Sequence, residues 1–267
     1  MIRPKKSLGQ NFLIDQNIIE NILKICKLEK KHIVEIGPGT GNLTSKILQS
    51  NFLSLTLIEK DSRMVSHLRD KFEYDKRINF FHDDILDFKL EDNMKENTII
   101  FGNLPYNIST QILVKLIKFN VWPPFYSDLV LMFQKEVAEK ILAKYKTSKY
   151  GRIGIISNSR LQIVNYFNIS KSSFFPKPKI DSTVIHFKPL YKNTHNIKNL
   201  ENLEHVTRVL FSNKRKMINK AFRRLFNDSD KAAMKLKIDL SLRPSDLSCE
   251  EYFKITELYE EISNFKS

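Results

Sequence analysis

At 267 residues, with 42% hydrophobic side chains and nineteen phenylalanines, the chain can bury a large core, which excludes an intrinsically disordered protein. Its 44 lysines and arginines against 30 aspartates and glutamates, a formal net charge of +14, favour a polyanionic partner over a generally solvated, lysine-rich surface. Two distant cysteines, six scattered histidines and the lack of a membrane-length apolar run argue against a disulfide framework, a metal site and a membrane protein, so we expect a cytoplasmic chain.

The first part of the chain alternates helical and strand patterns. A helix is predicted in "DQNIIENILKIC", where isoleucines recur at helical spacing and Asp15 can cap the first turn. Further helices are predicted in "NLTSKILQ", from Ser62 to Phe72, in "TQILVKLIKF" and in "KEVAEKILAKY". Strands are predicted between them in "HIVEIG", "LSLTLIE", "INFFHDD", the run ending at Gly102 and "DLVLMFQ". This alternation predicts a doubly wound α/β domain with a mostly parallel sheet.

The later part of the chain changes character. Two strand-like runs, "IGIISNSRLQIVNYFNIS" and "STVIHFKPL", predict an antiparallel addition at the sheet edge. The polar stretch "YKNTHNIKN" is the predicted linker between domains at 1–192 and 193–267. The second domain is predicted to be helical, because apolar residues from Val206 to Leu225 recur every three or four positions. The opposite side of that pattern carries the candidate RNA-binding residues Lys214, Arg215, Lys216, Arg223 and Arg224.

A glycine-rich turn, "EIGPGTGNL", lies between the first core strand and its helix. Gly37, Gly39 and Gly41 permit a tight turn and let a ligand approach the backbone. The third glycine comes one residue earlier than in the dinucleotide fingerprint G-x-G-x-x-G, and this spacing is associated with S-adenosylmethionine enzymes. A purely structural turn is the alternative.

Carboxylates follow the next two strands. Glu59 ends the second strand about twenty residues after the glycines, where a carboxylate can accept hydrogen bonds from both ribose hydroxyls. Asp61 is a rival for that role, and a solvated charge is the alternative. Asp83 and Asp84 end the third strand, where one of them can accept a hydrogen bond from an adenine amino group.

The stretch "FGNLPYN" ends the fourth strand. Asn103 and the backbone carbonyl of Leu104 are uncharged acceptors, and Pro105 stiffens the loop that carries them. Two converging acceptors suit a planar –NH2 group, because they draw its nitrogen toward tetrahedral geometry and free its lone pair to attack a sulfonium methyl. Tyr106 offers a flat face to a base, an interaction worth roughly 1–3 kcal/mol. A turn that merely ends the strand is the alternative.

With these motifs the chain resembles the small-subunit ribosomal RNA adenine dimethyltransferases of the KsgA type. The resemblance implies a Rossmann-like methyltransferase domain followed by a smaller all-α domain that binds RNA. It also implies transfer of four methyl groups from S-adenosylmethionine to two adjacent adenosines in a hairpin near the 3′ end of small-subunit rRNA. We further expect a monomer that holds no metal. The motifs that carry it are "KSLGQNFLID", "EIGPGTGNLT", "FGNLPYNIST", "YGRIGI", "FFPKPKIDSTVI", "NKRKMINKAF" and "IDLSLRPSDLS".

The resemblance also implies roles for individual residues. Phe174 of "SFFPKPKIDS" takes the family's aromatic position and would pack on a flipped-out adenine opposite Tyr106, although an aromatic pair is also typical of a core. Asp84 is favoured over Asp83 on the same alignment. Asn158 departs from the family, where glutamine is more usual. The implied cofactor contacts are Asn11, Leu13, Gly37, Gly39, Glu59, Asp84 and Asn103.

Two other functions stay open at this point. One is a large-subunit rRNA adenine methyltransferase of the macrolide-resistance type, which shares the N-x-P-Y chemistry. The other is a non-catalytic RNA-binding assembly factor of the same fold. The segment "IDLSLRPSDLS" and the N-terminal leader favour the small-subunit enzyme, while the intact Asn103 and glycines favour catalysis.

Overall fold

The computed structural model describes residues 3–5, 8–192 and 195–264, which form two compact units. The sheet unit lies within residues 1–138 and 162–189, and the helical unit within 139–161 and 190–267. The chain therefore enters the helical unit twice, the second time close to the predicted domain boundary after residue 192. The predicted boundary did not assign residues 139–161 to the helical unit. Residues 193 and 194 of the predicted linker lie outside the described residues.

Parallel strands form the centre of the sheet unit. The described strands are β1 (Phe12–Leu13), β2 (His32–Ile36), β3 (Ser54–Glu59), β4 (Ile78–His82), β5 (Thr98–Asn103), β6 (Tyr126–Gln134), β7 (Leu161–Ile169), β8 (Phe174–Phe175) and β9 (Ser182–Pro189). Seven of them form one sheet in the order β4-β3-β2-β5-β6-β9-β7, while β1 and β8 form a separate antiparallel pair. Strands β2 to β6 pair in parallel and β9 runs antiparallel to β6, which confirms the predicted sheet and its antiparallel addition.

Helices complete both units. Those described are α1 (Gln16–Leu23), α2 (Asn42–Ile47), α3 (Ser62–Phe72), α4 (Leu90–Asn93), α5 (Ser109–Ile117), α6 (Lys135–Leu142), α7 (Arg152–Arg160), α8 (Leu200–Leu210), α9 (Asn219–Leu225), α10 (Ser229–Leu236) and α11 (Cys249–Asn264). Among the described helices, none combines the length and the apolar character needed to cross a bilayer.

Helix α1 shows how the local sequence directs the fold. The Asp15 carboxylate accepts hydrogen bonds from the backbone N–H groups of Asn17 (3.0 Å) and Ile18 (3.3 Å), which confirms the predicted N-cap. Ile19 and Ile22, spaced by three, are buried and pack in the core of the sheet unit. The capped, one-sided helix therefore covers the sheet as the apolar pattern predicts.

The prediction was wrong for the run that begins at "IGIISNSR". The structure forms helix α7 over Arg152–Arg160, and only the second half of the run is strand β7. Alternating isoleucines suggested a strand, but a short apolar run does not by itself distinguish the two structures. The Ser157 hydroxyl donates to the carbonyl of Ile153 at 2.6 Å, one helical turn earlier, and α7 packs against α8 and α11.

The helical repeat predicted from 206 to 225 is interrupted. Residues 211–218 connect α8 to α9 through a short 3₁₀ turn, so the cations at 214–216 lie in this connection instead of on a helix face. Arg223 and Arg224 lie in the last turn of α9. Met217, counted in the apolar repeat, is 51% exposed because the connection turns its side chain outward.

Candidate functional site

A cavity of about 290 Å³ opens in the sheet unit at the carboxyl ends of the parallel strands. Strand β2 lies between β3 and β5, so the chain order reverses there, and open α/β sheets bind ligands at such a switch point. The structure brings to this cavity ten of the residues selected from the sequence. They are Asn11, Leu13, Gly37, Gly39, Glu59, Asp84, Asn103, Leu104, Pro105 and Tyr106.

The glycines of the turn have different surroundings. Gly37 has a φ of +67°, and a Cβ built there would have the Asn103 carbonyl oxygen, 3.7 Å away, as its nearest neighbour. At Gly41, with a φ of +76°, a Cβ would lie 2.6 Å from Phe72 Cε2. Gly37 therefore keeps the cavity wall free of a side chain, whereas Gly41 gives room to the core.

Glu59 is buried and holds the glycine turn in place. Its Oε2 accepts a hydrogen bond from the backbone N–H of Gly39 (3.2 Å) and its Oε1 accepts one from that of Asp61 (2.9 Å). Burial raises the pKa of the Glu59 carboxyl. Asp61, the rival for the ribose role, instead caps α3 and pairs with Arg63, whose hydrogen bonds lower the Asp61 pKa. Of these two carboxylates, only Glu59 belongs to the described cavity wall.

Glu35 lines the cavity and was not predicted from the sequence. It is 3% exposed and accepts a hydrogen bond from the Thr44 hydroxyl at 2.6 Å. Burial raises the pKa of its carboxyl to about 7. The available signal was an acidic residue inside the otherwise apolar strand "HIVEIG", since a carboxylate is rarely buried without a role.

Asp83 and Asp84, the two candidates for the adenine contact, differ in their surroundings. Both line the cavity, but Asp83 is exposed while Asp84 pairs with Lys60 and accepts the backbone N–H of Leu86 at 2.9 Å. Burial is the largest influence and opposes ionisation of Asp84, but the hydrogen bonds from Lys60 and the Leu86 backbone, together with the charges of Lys60 and Lys115, outweigh it and hold the Asp84 pKa below its usual value. Lys115, also missed from the sequence, fixes this loop by donating to the Leu86 carbonyl at 2.6 Å.

The N-terminal segment lines the cavity and fixes Asn103. The Asn103 amide nitrogen donates to the Asn11 carbonyl at 3.0 Å, so the other atom of the amide, Oδ1, remains as an acceptor toward the cavity. The Asn11 amide in turn donates to the Gly9 carbonyl at 3.1 Å. On the other side, the Asn42 amide donates to the Leu13 carbonyl at 2.7 Å. The segment therefore links the glycine turn to the loop that carries Asn103.

The loop after β5 is held by packing and by one side-chain bond. Leu104 is 1% exposed, and Gly102 makes room for it, because a Cβ there would lie 2.5 Å from Leu104 Cδ2. The Tyr106 hydroxyl lies 2.7 Å from that of Ser182, and burial raises the Tyr106 pKa. Tyr106 is thus a fixed, half-buried ring at the cavity wall.

The two adjacent phenylalanines face different surroundings. Phe174 is 3% exposed, pairs with Leu13 and belongs to the hydrophobic core, and it is not among the described residues that line the cavity. Phe175 is 50% exposed and pairs with Phe12. The stacking role of Phe174 therefore stays a prediction, and it requires the core around this residue to open toward a base.

The candidate RNA-binding residues at 214–216, Arg223 and Arg224 are all exposed. Lys214, however, uses its ammonium to donate to the carbonyl oxygens of Ser148 (2.6 Å) and Tyr150 (2.7 Å). Two of its three N–H donors are thereby occupied, and its contact with phosphate stays a prediction.

Asn158, the position that departs from the family pattern, makes a bond within its own helix. Its amide donates to the Gly154 carbonyl at 2.7 Å. Since this partner lies one turn earlier in α7, the Asn158 side chain forms a bond within that helix of the helical unit.

One cluster apart from the cavity combines Cys26, Asp128 and His186, whose ligand-type atoms lie within 4.8 Å of one another. His186 Nε2 lies 2.7 Å from Asp128 Oδ1 and 3.5 Å from the Cys26 sulfur. Because both contacts use the same ring nitrogen, the imidazole does not relay a proton between them. Burial, and to a smaller extent the charge of Asp128, raises the pKa of the Cys26 thiol to about 12. The thiol therefore stays protonated.

Comparison with known families identifies one match along nearly the whole chain. The family model described as ribosomal RNA adenine dimethylase matches residues 1–261. A relative from Pelagibacter ubique, named ribosomal RNA small subunit methyltransferase A, is 44% identical over 262 residues, which cover 98% of each chain.

Solved structures agree in fold. A dimethyladenosine transferase from Plasmodium falciparum has a TM-score of 0.78 and 25% identity, covering 94% of this chain and 98% of that one. The 23S rRNA methyltransferase ErmE has a TM-score of 0.67 at 21% identity, covering 93% and 99%, a likeness that concerns the fold alone. These neighbours confirm the predicted Rossmann-like fold with a helical C-terminal part.

Proposed function

The chain belongs to the ribosomal RNA adenine dimethylase family, and from this premise we propose how its residues carry out the family's reaction. The enzyme dimethylates adenosines of small-subunit rRNA with S-adenosylmethionine, as its relatives named small subunit methyltransferase A indicate. The targets are the exocyclic amines of two adjacent adenosines in a hairpin near the 3′ end. The reaction belongs to the biogenesis of the small ribosomal subunit.

The cavity wall has the groups that S-adenosylmethionine requires. We assign the ribose hydroxyls to Glu59, whose two oxygens keep lone pairs beyond those used by the Gly39 and Asp61 amides. Asp84 is assigned to the adenine amino group. Gly37 has no Cβ, so the cofactor can approach its backbone closely. When bound, S-adenosylmethionine supplies an electrophilic methyl group on its sulfonium.

The N–H groups of the target adenine are assigned to Asn103 Oδ1 and the Leu104 carbonyl. Asn103 is oriented for this by its bond to the Asn11 carbonyl, which engages the amide nitrogen and reserves the oxygen. Accepting both hydrogens of the exocyclic amine localises the nitrogen lone pair for attack on the methyl. Transfer would break the bond between sulfur and the methyl group and release the neutral thioether, and the cationic product nitrogen would lose its acidic proton to water, so no strong base is required. Tyr106 stacks on the adenine once the base is flipped out.

The remaining residue assignments follow the family resemblance. Asn11 and Leu13 border the cofactor, Phe174 packs on the target base, and the helical domain from 193 onward grips rRNA through its cations. Arg215, Lys216, Arg223 and Arg224 are the proposed phosphate contacts, with Lys214 beside them.

We also propose that the enzyme is a cytoplasmic monomer that needs no metal. The sulfonium already activates the methyl group, so the transfer does not depend on a Lewis acid. The cytoplasm is where small subunits of a bacterial ribosome are assembled and offered as substrate.

The observation that carries the function is the family match over residues 1–261 together with the Asn103 geometry at the cavity. Its test is incubation of undermethylated small subunits, and separately of large subunits, with S-adenosylmethionine labelled at the methyl group. Label in the small subunit alone supports the proposal. Label in the large subunit would favour the macrolide-resistance type, which the 44% identity to a small-subunit enzyme disfavours. Binding without label would indicate an assembly factor.

A further inference from the structure

Two segments of the helical unit hold nearly all of the protein's excess positive charge. Residues 140–160 contain six lysines and arginines, residues 205–227 contain seven, and neither segment contains an aspartate or a glutamate. Since the net charge of the whole chain is +14, the rest of the chain is close to neutral in sum. Of the two segments, only the second contains the RNA contacts predicted from the sequence.

The structure joins the two segments through Lys214. Its ammonium donates to the carbonyls of Ser148 and Tyr150, so the loop at 144–149, here called the lysine loop, is fastened to the connection between α8 and α9. The backbone N–H of Lys146 donates to the Ser245 carbonyl at 2.7 Å, a second anchor within the same unit. The cations of the loop and those at 214–216 therefore belong to one basic surface.

Every residue of the lysine loop is exposed. Lys149 pairs with Glu139, whereas Lys144 and Lys146 have no carboxylate partner among the ion pairs of the described residues. Tyr145 stands between them, 48% exposed, with the Lys146 ammonium 5.4 Å from its ring centroid. An exposed aromatic ring among lysines on a basic surface is typical of sites that bind unpaired nucleic acid, where phosphates meet cations and a base stacks.

We infer that the lysine loop is a second rRNA-contacting element, in which Lys144 and Lys146 neutralise phosphates and Tyr145 stacks on an unpaired base. Lys214 positions the loop. The inference rests on the proposed function, because it takes rRNA as the polyanion.

The test measures binding of the full chain to undermethylated small subunits, and to their isolated rRNA, as a function of salt. The Lys144→Gln/Lys146→Gln variant is compared with Lys231→Gln/Lys254→Gln, which removes the same charge from exposed positions of the same unit. Each phosphate contact contributes roughly 0.7–0.9 to the slope of log affinity against log salt. Loss of two contacts therefore weakens binding about 25- to 60-fold at 0.1 M salt and leaves little difference near 1 M, while the control pair stays close to wild type.

Tyr145 is tested separately because stacking does not depend on salt in the same way. Tyr145→Leu is expected to weaken binding about 5- to 150-fold, the equivalent of roughly 1–3 kcal/mol, at both low and high salt. Tyr145→Phe keeps the ring and should bind like wild type. Thermal unfolding of each variant checks that the fold is retained.

The possible results separate this inference from the proposed function. A wild-type salt slope in the lysine variant, or an equal loss in the control pair, would overturn the phosphate contacts. Wild-type binding by Tyr145→Leu would overturn the stacking contact. A loss with small subunits but not with their isolated rRNA would assign the loop to a ribosomal protein instead of RNA. Failure of the proposed function would show as absence of methyl transfer by the wild-type chain.

Discussion

Alanine substitutions at Gly37 and Gly41 distinguish a ligand-binding turn from a purely structural one. Both glycines have left-handed backbones, with φ of +67° and +76°, so either alanine costs about 1–2 kcal/mol of folding free energy from backbone strain. At Gly37 the new Cβ meets nothing closer than 3.7 Å, and strain is the whole cost. At Gly41 it meets Phe72 at 2.6 Å and Leu68 at 2.9 Å, so repacking adds about 1–3 kcal/mol.

The two variants should therefore differ in opposite ways, Gly41→Ala losing more stability and Gly37→Ala losing more affinity for the cofactor. In urea unfolding, we expect Gly37→Ala to lose about 1–2 kcal/mol and Gly41→Ala about 2–5 kcal/mol. In calorimetric titration with S-adenosylmethionine, Gly37→Ala should bind more weakly, by roughly tenfold or more, because its methyl group stands where the cofactor approaches the backbone. Gly41→Ala should keep its affinity while it is folded, since Gly41 is not part of the described cavity wall.

Either of two results would refute this reasoning. Wild-type cofactor affinity in Gly37→Ala would mean that the turn is structural and that the ligand lies elsewhere. Equal destabilisation of the two variants would mean that the contacts with Phe72 and Leu68 do not constrain Gly41.

Two further predictions concern a buried carboxyl and the lysine loop. Glu35 titrates near 4.5 when unfolded but at about 7 in the fold, so between these pH values the folded chain holds a proton that the unfolded chain has released. The contribution of Glu35 to the free energy of unfolding thus falls by about 1.4 kcal/mol per pH unit as pH rises from 4.5 to 7. In urea unfolding at a series of pH values, Glu35→Gln should remove this part of the dependence of unfolding free energy on pH. An unchanged pH dependence would contradict the burial argument. Lys214→Gln should speed trypsin cleavage within 144–149 several-fold while Arg215→Gln should not, because of these two cations it is Lys214 that bonds the carbonyls of Ser148 and Tyr150. Equal cleavage would show that the loop does not depend on this lysine.

Most of the fold was accessible from the sequence because its signals are local. Alternating apolar runs and capping residues predict the strands and helices up to Gln134 except β1 and α4, and Asp15 caps α1 as expected. The failure at Arg152–Arg160 has a physical cause: a short isoleucine-rich run is compatible with either structure, and packing against α8 and α11 decides it.

The motifs of the candidate site were predictable from the sequence, but the contacts that hold those motifs in place were not. Asn103 stands out in the sequence, whereas its bond to the Asn11 carbonyl joins residues 92 positions apart and requires the fold. Lys115 is likewise an ordinary helix lysine until its bond to Leu86 is seen. Burial of Phe174 against exposure of Phe175 is a tertiary property that the doublet does not reveal.

The central claim is that Asn103 presents an acceptor to the amine of a small-subunit rRNA adenosine. Its most direct test incubates undermethylated small subunits with labelled S-adenosylmethionine and either the wild-type chain or Asn103→Ala, and maps the modified nucleosides by mass spectrometry. We expect dimethyladenosine at two adjacent positions near the 3′ end with the wild type, and no label with Asn103→Ala although it still binds the subunit. Wild-type turnover by Asn103→Ala, or label at other positions, would contradict the account.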